Sequence, residues 1–399
     1  MKKSLYEQLG VQSDKSDIAQ LFAKITRNDF PGAFCKIVRM SEFPGYVMCK
    51  HPDGVGSLSL TRFLLFLETG DPKVLRGDAN NALEMNLGDI SCCGFFRRTI
   101  YLTDNIDING LLVSKNIFLR EFAYRMVELI ELFRQHGIII YFIGGETADL
   151  TDQLHSVVLN MDACSTLKEE DAIIGNVQST DKIWGFYSAG QAVWEEKENS
   201  GVASNGATGL RTLLLHVGYA LKNREICPRD FRGRFFFHDK LPGTSLNIGQ
   251  ALTSPTRHLS LLIKLLCEKL ESQGVSKLLH GVSMNTGGGL TKVGRLGKGI
   301  RYEMKVPTPP PIFQLVQDET GESWEQIYRT YNSGIIGSIV GSDEGGIIAR
   351  AIKEVSAETG VPSYELGECS RYDMVDQNMV ILKNHVNGDS YSYPIKLDH

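Results

Sequence analysis

The sequence contains no apolar run long enough to cross a bilayer. Its most hydrophobic stretches, 138–143 and 259–266, fall far short of the about 20 residues a spanning helix needs. It has no excess of positive charge either. Against 47 Asp and Glu stand 42 Lys and Arg, a net charge of −5, so no broad field is available to hold nucleic acid or an anionic membrane. An anionic substrate would need positive charge gathered locally. No C-x-x-C occurs among the eight scattered cysteines, and the adjacent Cys92 and Cys93 suit neither a zinc site nor an ordinary disulfide. The expectation is free thiols in a reducing cytosol, and the polar Met1–Gly10 lacks the apolar core of a signal peptide. There is no G-x-x-x-x-G-K-[ST], no protein-kinase set and no G-x-S-x-G elbow. The nine histidines form no H-E-x-x-H. Nucleophilic hydrolysis and zinc chemistry are therefore left without support.

Glycine is what the chain has in quantity: 40 of 399 residues, where about 7% is usual. Much of it lies in short clusters among apolar residues, as where backbone must come close to a ligand. Length and pattern point to a two-domain α/β or α+β protein. A polar segment near Asn176–Asp181 marks the boundary, giving domains 1–177 and 178–399. Val38–Lys50 reads as strand, turn, strand, with a loop from His51 to Gly56. Leu119, Phe122, Met126, Ile130 and Phe133 set a helical stripe over Phe118–Arg134. Ile138–Ile143 then reads as a short buried strand broken by Gly144-Gly145. The Ser254-Pro255 pair predicts a helix start, with Leu259, Leu262, Leu266 and Leu270 as its buried stripe. A third helix is expected from Ile347 to Gly360, and strands at Ile335–Val340 and Met379–Leu382.

Four segments combine carboxylates or polar groups with glycine. In Asp53-Gly54-Val55-Gly56 a carboxylate able to hold Mg²⁺ stands beside glycines that let backbone approach phosphates; read alone, the segment is also an ordinary turn. In Met85-Asn86-Leu87-Gly88-Asp89 the apolar flanks draw a polar pair into a semi-buried place, where a carboxylate is costly unless paired or metal-bound. Gly144-Gly145-Glu146-Thr147 follows a buried strand, a usual position for a ligand site. Gly287, Gly288 and Gly289, after Thr286, can turn successive N–H groups toward an anion. Ser204-Asn205-Gly206 offers a hydroxyl and an amide. Arg257 is expected in the first turn of its helix, where the helix N-terminus already favours an anion.

Taken in order, these segments resemble a known family. Asp-Gly-Val-Gly at 53–56, Met-Asn-Leu-Gly-Asp at 85–89 and Gly-Gly-Glu-Thr-Ala at 144–148 match its N-terminal half. Ser-Asn-Gly at 204–206, Ser-Pro-Thr-Arg at 254–257 and Thr-Gly-Gly-Gly at 286–289 match its C-terminal half, with Tyr331-Asn332-Ser333-Gly334 near its late Phe-Asn-x-Gly. The family is phosphoribosylformylglycinamidine cyclo-ligase, or aminoimidazole ribonucleotide synthetase. Residues 30–37 and 188–192 are similar to its longer bacterial branch.

The resemblance covers roughly residues 15–385 and implies two α/β domains, the N-terminal sheet pairing across a homodimer. It also implies ATP-dependent ring closure of a small ribonucleotide, with ADP and phosphate as products and no nucleic acid or membrane as partner. On this resemblance Asp53, Asp89 and Glu146 hold Mg²⁺ and carry the chemistry. Gly54, Gly56, Gly144, Gly145, Thr147, Gly287, Gly288 and Gly289 hold ATP, while Ser204, Asn205 and Arg257 hold the substrate. The sequence departs from the family where Asp-Gly-Val-Gly normally continues with threonine and lysine: here Ser57 and Leu58 stand instead. Lys24 or Arg27 is the expected substitute cation. A kinase of the same superfamily and a non-catalytic nucleotide-binding paralogue, the latter supported by Leu58, are the alternative readings.

Overall fold

The computed structural model describes residues 5–10, 21–22, 24–204, 206–374 and 376–397. Burial alternates most regularly along Val157–Lys168, the central one of the five strands that build the first sheet. These are β1 (Val38–Arg39), β2 (Tyr46–Gly54), β3 (Ile100–Ile108), β4 (Ile140–Asp149) and β5 (Val157–Lys168), in the order β1-β2-β5-β3-β4. Only β3 and β4 run parallel. Along β2 the period of two puts Val47, Cys49, His51 and Asp53 on one face. That face is covered by α2 (Gly77–Ser91), which packs on β2 and β5; α1 (Leu58–Thr69) and α3 (Lys115–Gln135) flank it.

The second sheet has seven strands in the order β14-β13-β10-β12-β6-β11-β9. Its members are β6 (Lys182–Tyr187), β9 (Leu279–Met284), β10 (Ile300–Lys305), β11 (Ile335–Gly341), β12 (Ser363–Arg371), β13 (Gln377–Lys383) and β14 (Ser390–Lys396). A two-stranded ribbon, β7 (Ala189–Gly190) with β8 (Asn199–Ser200), stands apart. β11, flanked by β6 and β9, is buried at every residue. α4 (Leu259–Ser272) and α5 (Ile347–Thr359) pack against each other, and α4 also meets α2 of the first sheet's layer.

The joint between the layers is polar and specific. Glu84 of α2 accepts hydrogen bonds from the Ser260 amide (3.0 Å) and the Ser260 hydroxyl (2.7 Å), and its Oε2 lies 3.0 Å from His258 Nδ1. One turn back, the fully buried Arg62 pairs with Asp78 and donates to Asn81 Oδ1 at 2.9 Å. The Glu84 carboxylate, engaged on both oxygens from the second layer, fixes one relative placement of the two layers, while Arg62 Nε and Asp78 Oδ2 keep no hydrogen-bond partner among the described residues.

Three local expectations change. β2 runs straight through His51 to Gly54, so Asp53 sits on a strand and not in a loop. β4 is an edge strand, mostly exposed, and continues through Gly144-Gly145. The glycine pair permits close approach to β3 instead of ending the strand: a Cβ on Gly145 would lie 1.7 Å from Asp104 Oδ1. Finally, α4 starts at Leu259, five residues after Ser254, because 254–258 is not helical where Thr256 and His258 meet α2.

Candidate functional site

Two carboxylates meet under α2. Asp53 ends the covered face of β2, and Asn86 and Asp89, three apart on α2, face it from above. Asn86 Nδ2 donates to the Asp53 carbonyl at 3.1 Å, fixing strand to helix. Asp53 Oδ1 accepts from the Gly54 amide at 2.7 Å, and Asp89 Oδ2 lies 3.2 Å from His51 Nε2. Three buried atoms here, Asp89 Oδ1, Asn86 Oδ1 and His51 Nδ1, find no hydrogen-bond partner among the described residues. A buried polar atom left unpaired costs about 1–3 kcal/mol, so a ligand that engaged these three would be favoured here.

A cation enters from the other half of the chain. After Gly287, Gly288 and Gly289 a 3₁₀ turn, Gly289–Arg295, swings Lys292 inward. Its Nζ donates to Thr286 Oγ1 at 2.7 Å and lies 5.3 Å from the centre of the Phe34 ring. Burial pushes the Lys292 ammonium below its ordinary range, with Asp89 opposing that shift. Burial alone would raise Asp89, but Lys292 and then His51 hold it below the usual carboxylate range. Asp53 is raised, by burial first and by the Asp89 charge second. Burial would lower His51, but Asp89 more than reverses it. The two carboxylates are thus pushed apart, a pattern found at functional sites.

Oxygen atoms from Asp53, Asp89 and Asn86 are the donor type for a hard divalent ion such as Mg²⁺. The unpartnered Asp89 Oδ1 and Asn86 Oδ1 are the buried oxygens such an ion would satisfy. Glu146 does not join them. It lies exposed on the β4 edge, its Oε1 accepting only from the Thr147 amide at 3.2 Å. Among the described residues the one group of three ligand-type side chains whose atoms lie within 4.8 Å is Cys35, His51 and Asp89. Of the expected set of Asp53, Asp89 and Glu146, the fold brings Asp53 and Asp89 together and leaves Glu146 apart on the β4 edge.

Of the predicted nucleotide glycines, Gly56 is exposed at the turn after β2, and Gly287 has open space around its Cα. Gly54 and Gly289 serve packing: a Cβ would meet the Leu159 carbonyl at 2.6 Å in one and the Tyr328 carbonyl at 2.3 Å in the other. Gly144 and Thr147 stay on the β4 edge with Gly145. Asn205 lies outside the described residues. Ser204 Oγ contacts Asn81 and, at 3.0 Å, Thr256 Oγ1 in the joint between layers.

Arg257 changes role. It donates to Glu195 at 3.0 and 2.6 Å and to the carbonyls of Tyr187, Ala189 and Gly190. Every nitrogen of its guanidinium is engaged, so in this arrangement it ties 187–195 to the entry of α4 and presents no fork to a phosphate. Leu58 is buried at the start of α1 and belongs to the core. Of the expected substitutes, Lys24 is exposed and Arg27 pairs with Asp29 at 3.2 Å. Lys292 is the buried cation that acts most strongly on Asp89, with Arg295 adding a smaller effect. Its signal in the sequence is a lysine three residues past the last glycine of 287–289, just beyond the Thr-Gly-Gly-Gly motif. A surface cavity of about 500 Å³ lined by 177–179, 298–300 and 371–374 contains none of these residues.

No family model matches the chain. Among solved structures, AaThiL complexed with AMPPCP and TMP superposes with a TM-score of 0.54 at 10% identity, over 95% of this chain and 96% of that one. A HypE–HypF complex gives 0.54 at 13%, over 94% and 98%. T. maritima PurL complexed with ADP gives 0.52 at 12%, over 98% of this chain and 52% of that one. The fold is that of the aminoimidazole ribonucleotide synthetase-like proteins.

Sequence comparison goes further. The phosphoribosylformylglycinamidine cyclo-ligase of Methanococcus vannielii is 26% identical over 339 residues, covering 82% of this chain and 79% of that one. Its counterpart in Methanocaldococcus jannaschii is 24% identical over 345 residues, covering 86% and 83%. That of Methanosarcina mazei reaches 31% over 198 residues, 48% of each chain. The chain is thus similar in sequence, over most of its length, to phosphoribosylformylglycinamidine cyclo-ligases.

Proposed function

We propose that the protein closes the imidazole ring of aminoimidazole ribonucleotide from formylglycinamidine ribonucleotide, using ATP and releasing ADP and phosphate. The observation that supports this best is the buried Asp53–Asp89 pair, with its unpartnered oxygens, beside a lysine brought in by the glycine loop 286–289. Phosphoryl transfer asks a protein mainly for positioning and charge neutralisation, and this cluster supplies both. Asp53 and Asp89 would hold Mg²⁺, which supplies charge neutralisation on the triphosphate. Lys292 supplies a positive charge near the carboxylates, whereas Leu58, which stands for the family's lysine after Asp-Gly-Val-Gly, is buried in the core. Gly287 and Gly288 leave backbone amides accessible to phosphate oxygens.

The amide oxygen of the substrate takes the γ-phosphoryl group. The amidine nitrogen then attacks the activated carbon, the C–O bond breaks and phosphate departs with that oxygen. The substrate supplies its own nucleophile, so no side chain need form a covalent bond. Ser204 and Asn205 are the groups nearest in character to substrate ligands, whereas Arg257 acts by holding their surroundings. No described helix is long and apolar enough to span a membrane, which supports a cytoplasmic setting. Tyr101, Tyr141, Ile143 and Val158 are exposed on the first sheet. Together with the open β4 edge they support pairing with a second copy.

The test is turnover of formylglycinamidine ribonucleotide with Mg-ATP, following ADP and the imidazole product together. Equimolar formation of both is expected. ADP alone would place the protein with the kinases of the fold, and neither product from a folded, ATP-binding sample would overturn the proposal.

A further inference from the structure

The Asp53–Asp89 cluster has a second side, and it is built from sulfur. β2 places Cys49 and His51 on the same covered face as Asp53. Cys35 and Cys93 come against them: the Cys35 thiol lies 3.2 Å from the Asp89 carbonyl, and the Cys35 amide lies 3.3 Å from Cys93 Sγ. Cys35 and Cys93 are buried, as is Cys49. The ligand atoms of Cys35, His51 and Asp89 all lie within 4.8 Å of one another.

Two of those three residues also carry a buried atom with no partner among the described residues, Asp89 Oδ1 and His51 Nδ1. Asp89 itself is only 6% exposed. A hard ion bound through the Asp53 and Asp89 oxygens would still leave His51 Nδ1 without a partner. One thiolate, one imidazole and one carboxylate are the donor set of a soft or borderline divalent ion, four-coordinate with one position left for water.

We propose that Cys35, His51 and Asp89 form a binding site for a thiophilic divalent transition metal of the Zn²⁺ class, and that it shares Asp89 with the nucleotide-linked Mg²⁺ position. On binding, the Cys35 S–H bond gives its proton to the buffer and the sulfur becomes a ligand; the imidazole binds through a ring nitrogen free of hydrogen, its one remaining proton on the other nitrogen and any further proton lost to the buffer. Because Asp89 serves both positions, filling the soft one takes a carboxylate from the other, and such an ion inhibits ATP use. Lys292 opposes a second cation in this space. The site is therefore a conditional, inhibitory one, and removing the Lys292 charge strengthens it. The inhibition rests on the function proposed above; the binding does not.

Co²⁺ added to the intact protein separates the two. Expected are one equivalent bound, the intense visible bands of a four-coordinate ion, a sulfur-to-cobalt charge-transfer band, and displacement of both by Zn²⁺. Cys35→Ala should abolish the charge-transfer band and weaken binding by roughly 100-fold or more, since even outer-shell losses cost 10- to 100-fold. His51→Ala should weaken binding comparably, and Lys292→Met should tighten it. Absence of the bands in folded protein, or bands unchanged in both Cys35→Ala and His51→Ala, would overturn the site. In the turnover assay Cys35→Ala should leave basal activity unchanged and shift the inhibitory Zn²⁺ concentration upward by the same factor. A Zn²⁺ sensitivity equal to wild type there would refute the sharing of Asp89, whatever the Co²⁺ spectra show.

Discussion

Two strands of the first sheet carry an acid beside glycine, Asp53-Gly54 at the end of β2 and Gly145-Glu146 within β4, and the fold gives them opposite fates. The β2 acid is roofed by α2, faces a second carboxylate and lies near a buried lysine. The β4 acid sits at a sheet edge in water, bonded to the next residue's amide. An acid beside glycine therefore says little until it is known what covers it. Coverage removes water, and only then do neighbouring charges move a carboxylate strongly.

The sharpest way to break this contrast is at Asp89. Asp89→Asn should lower kcat by about 10³-fold, in the range lost when a single electrostatic stabiliser is removed, while a thermal melt stays cooperative. Turnover within a few-fold of wild type would remove Asp89 from the site. Arg257 tests the structural side. Arg257→Ala strands Glu195 near 187–190 and should cost about 3–5 kcal/mol, as breaking a buried ion pair does, read in denaturant unfolding. A small loss of stability with a large rise in the substrate KM would restore Arg257 as a phosphate ligand. The smallest effect belongs to β4. Glu146→Gln should leave kcat and Mg²⁺ dependence near wild type in a steady-state titration. A Mg²⁺ requirement raised many-fold would return Glu146 to the metal set.

Much of the site was legible, for a reason of period. Asn86 and Asp89 share a face because three residues nearly close a helical turn, and the alternation of β2 turns Asp53 toward them. Helical stripes such as Leu259, Leu262, Leu266 and Leu270 were equally readable, and all four are buried. What failed was whatever depended on a distant partner. Arg257 looks like a surface charge until Glu195 and three carbonyls surround it. Gly144-Gly145 looks like a break until Asp104 of β3 is seen to need the space. Lys292 lies more than 200 residues from the carboxylates it serves, and no local pattern announces that meeting.

That meeting is the centre of the account, and substituting Lys292 tests it most directly. Lys292→Met keeps length and apolar volume while removing the charge that lowers both Asp53 and Asp89. At saturating Mg-ATP, kcat measured across pH should fall by about 10²–10³-fold. The acid limb should also move to higher pH, because both carboxylates hold their protons longer without the ammonium. A Lys292→Met enzyme with wild-type kcat and an unmoved acid limb would contradict the claim that the C-terminal glycine loop supplies the site's cation.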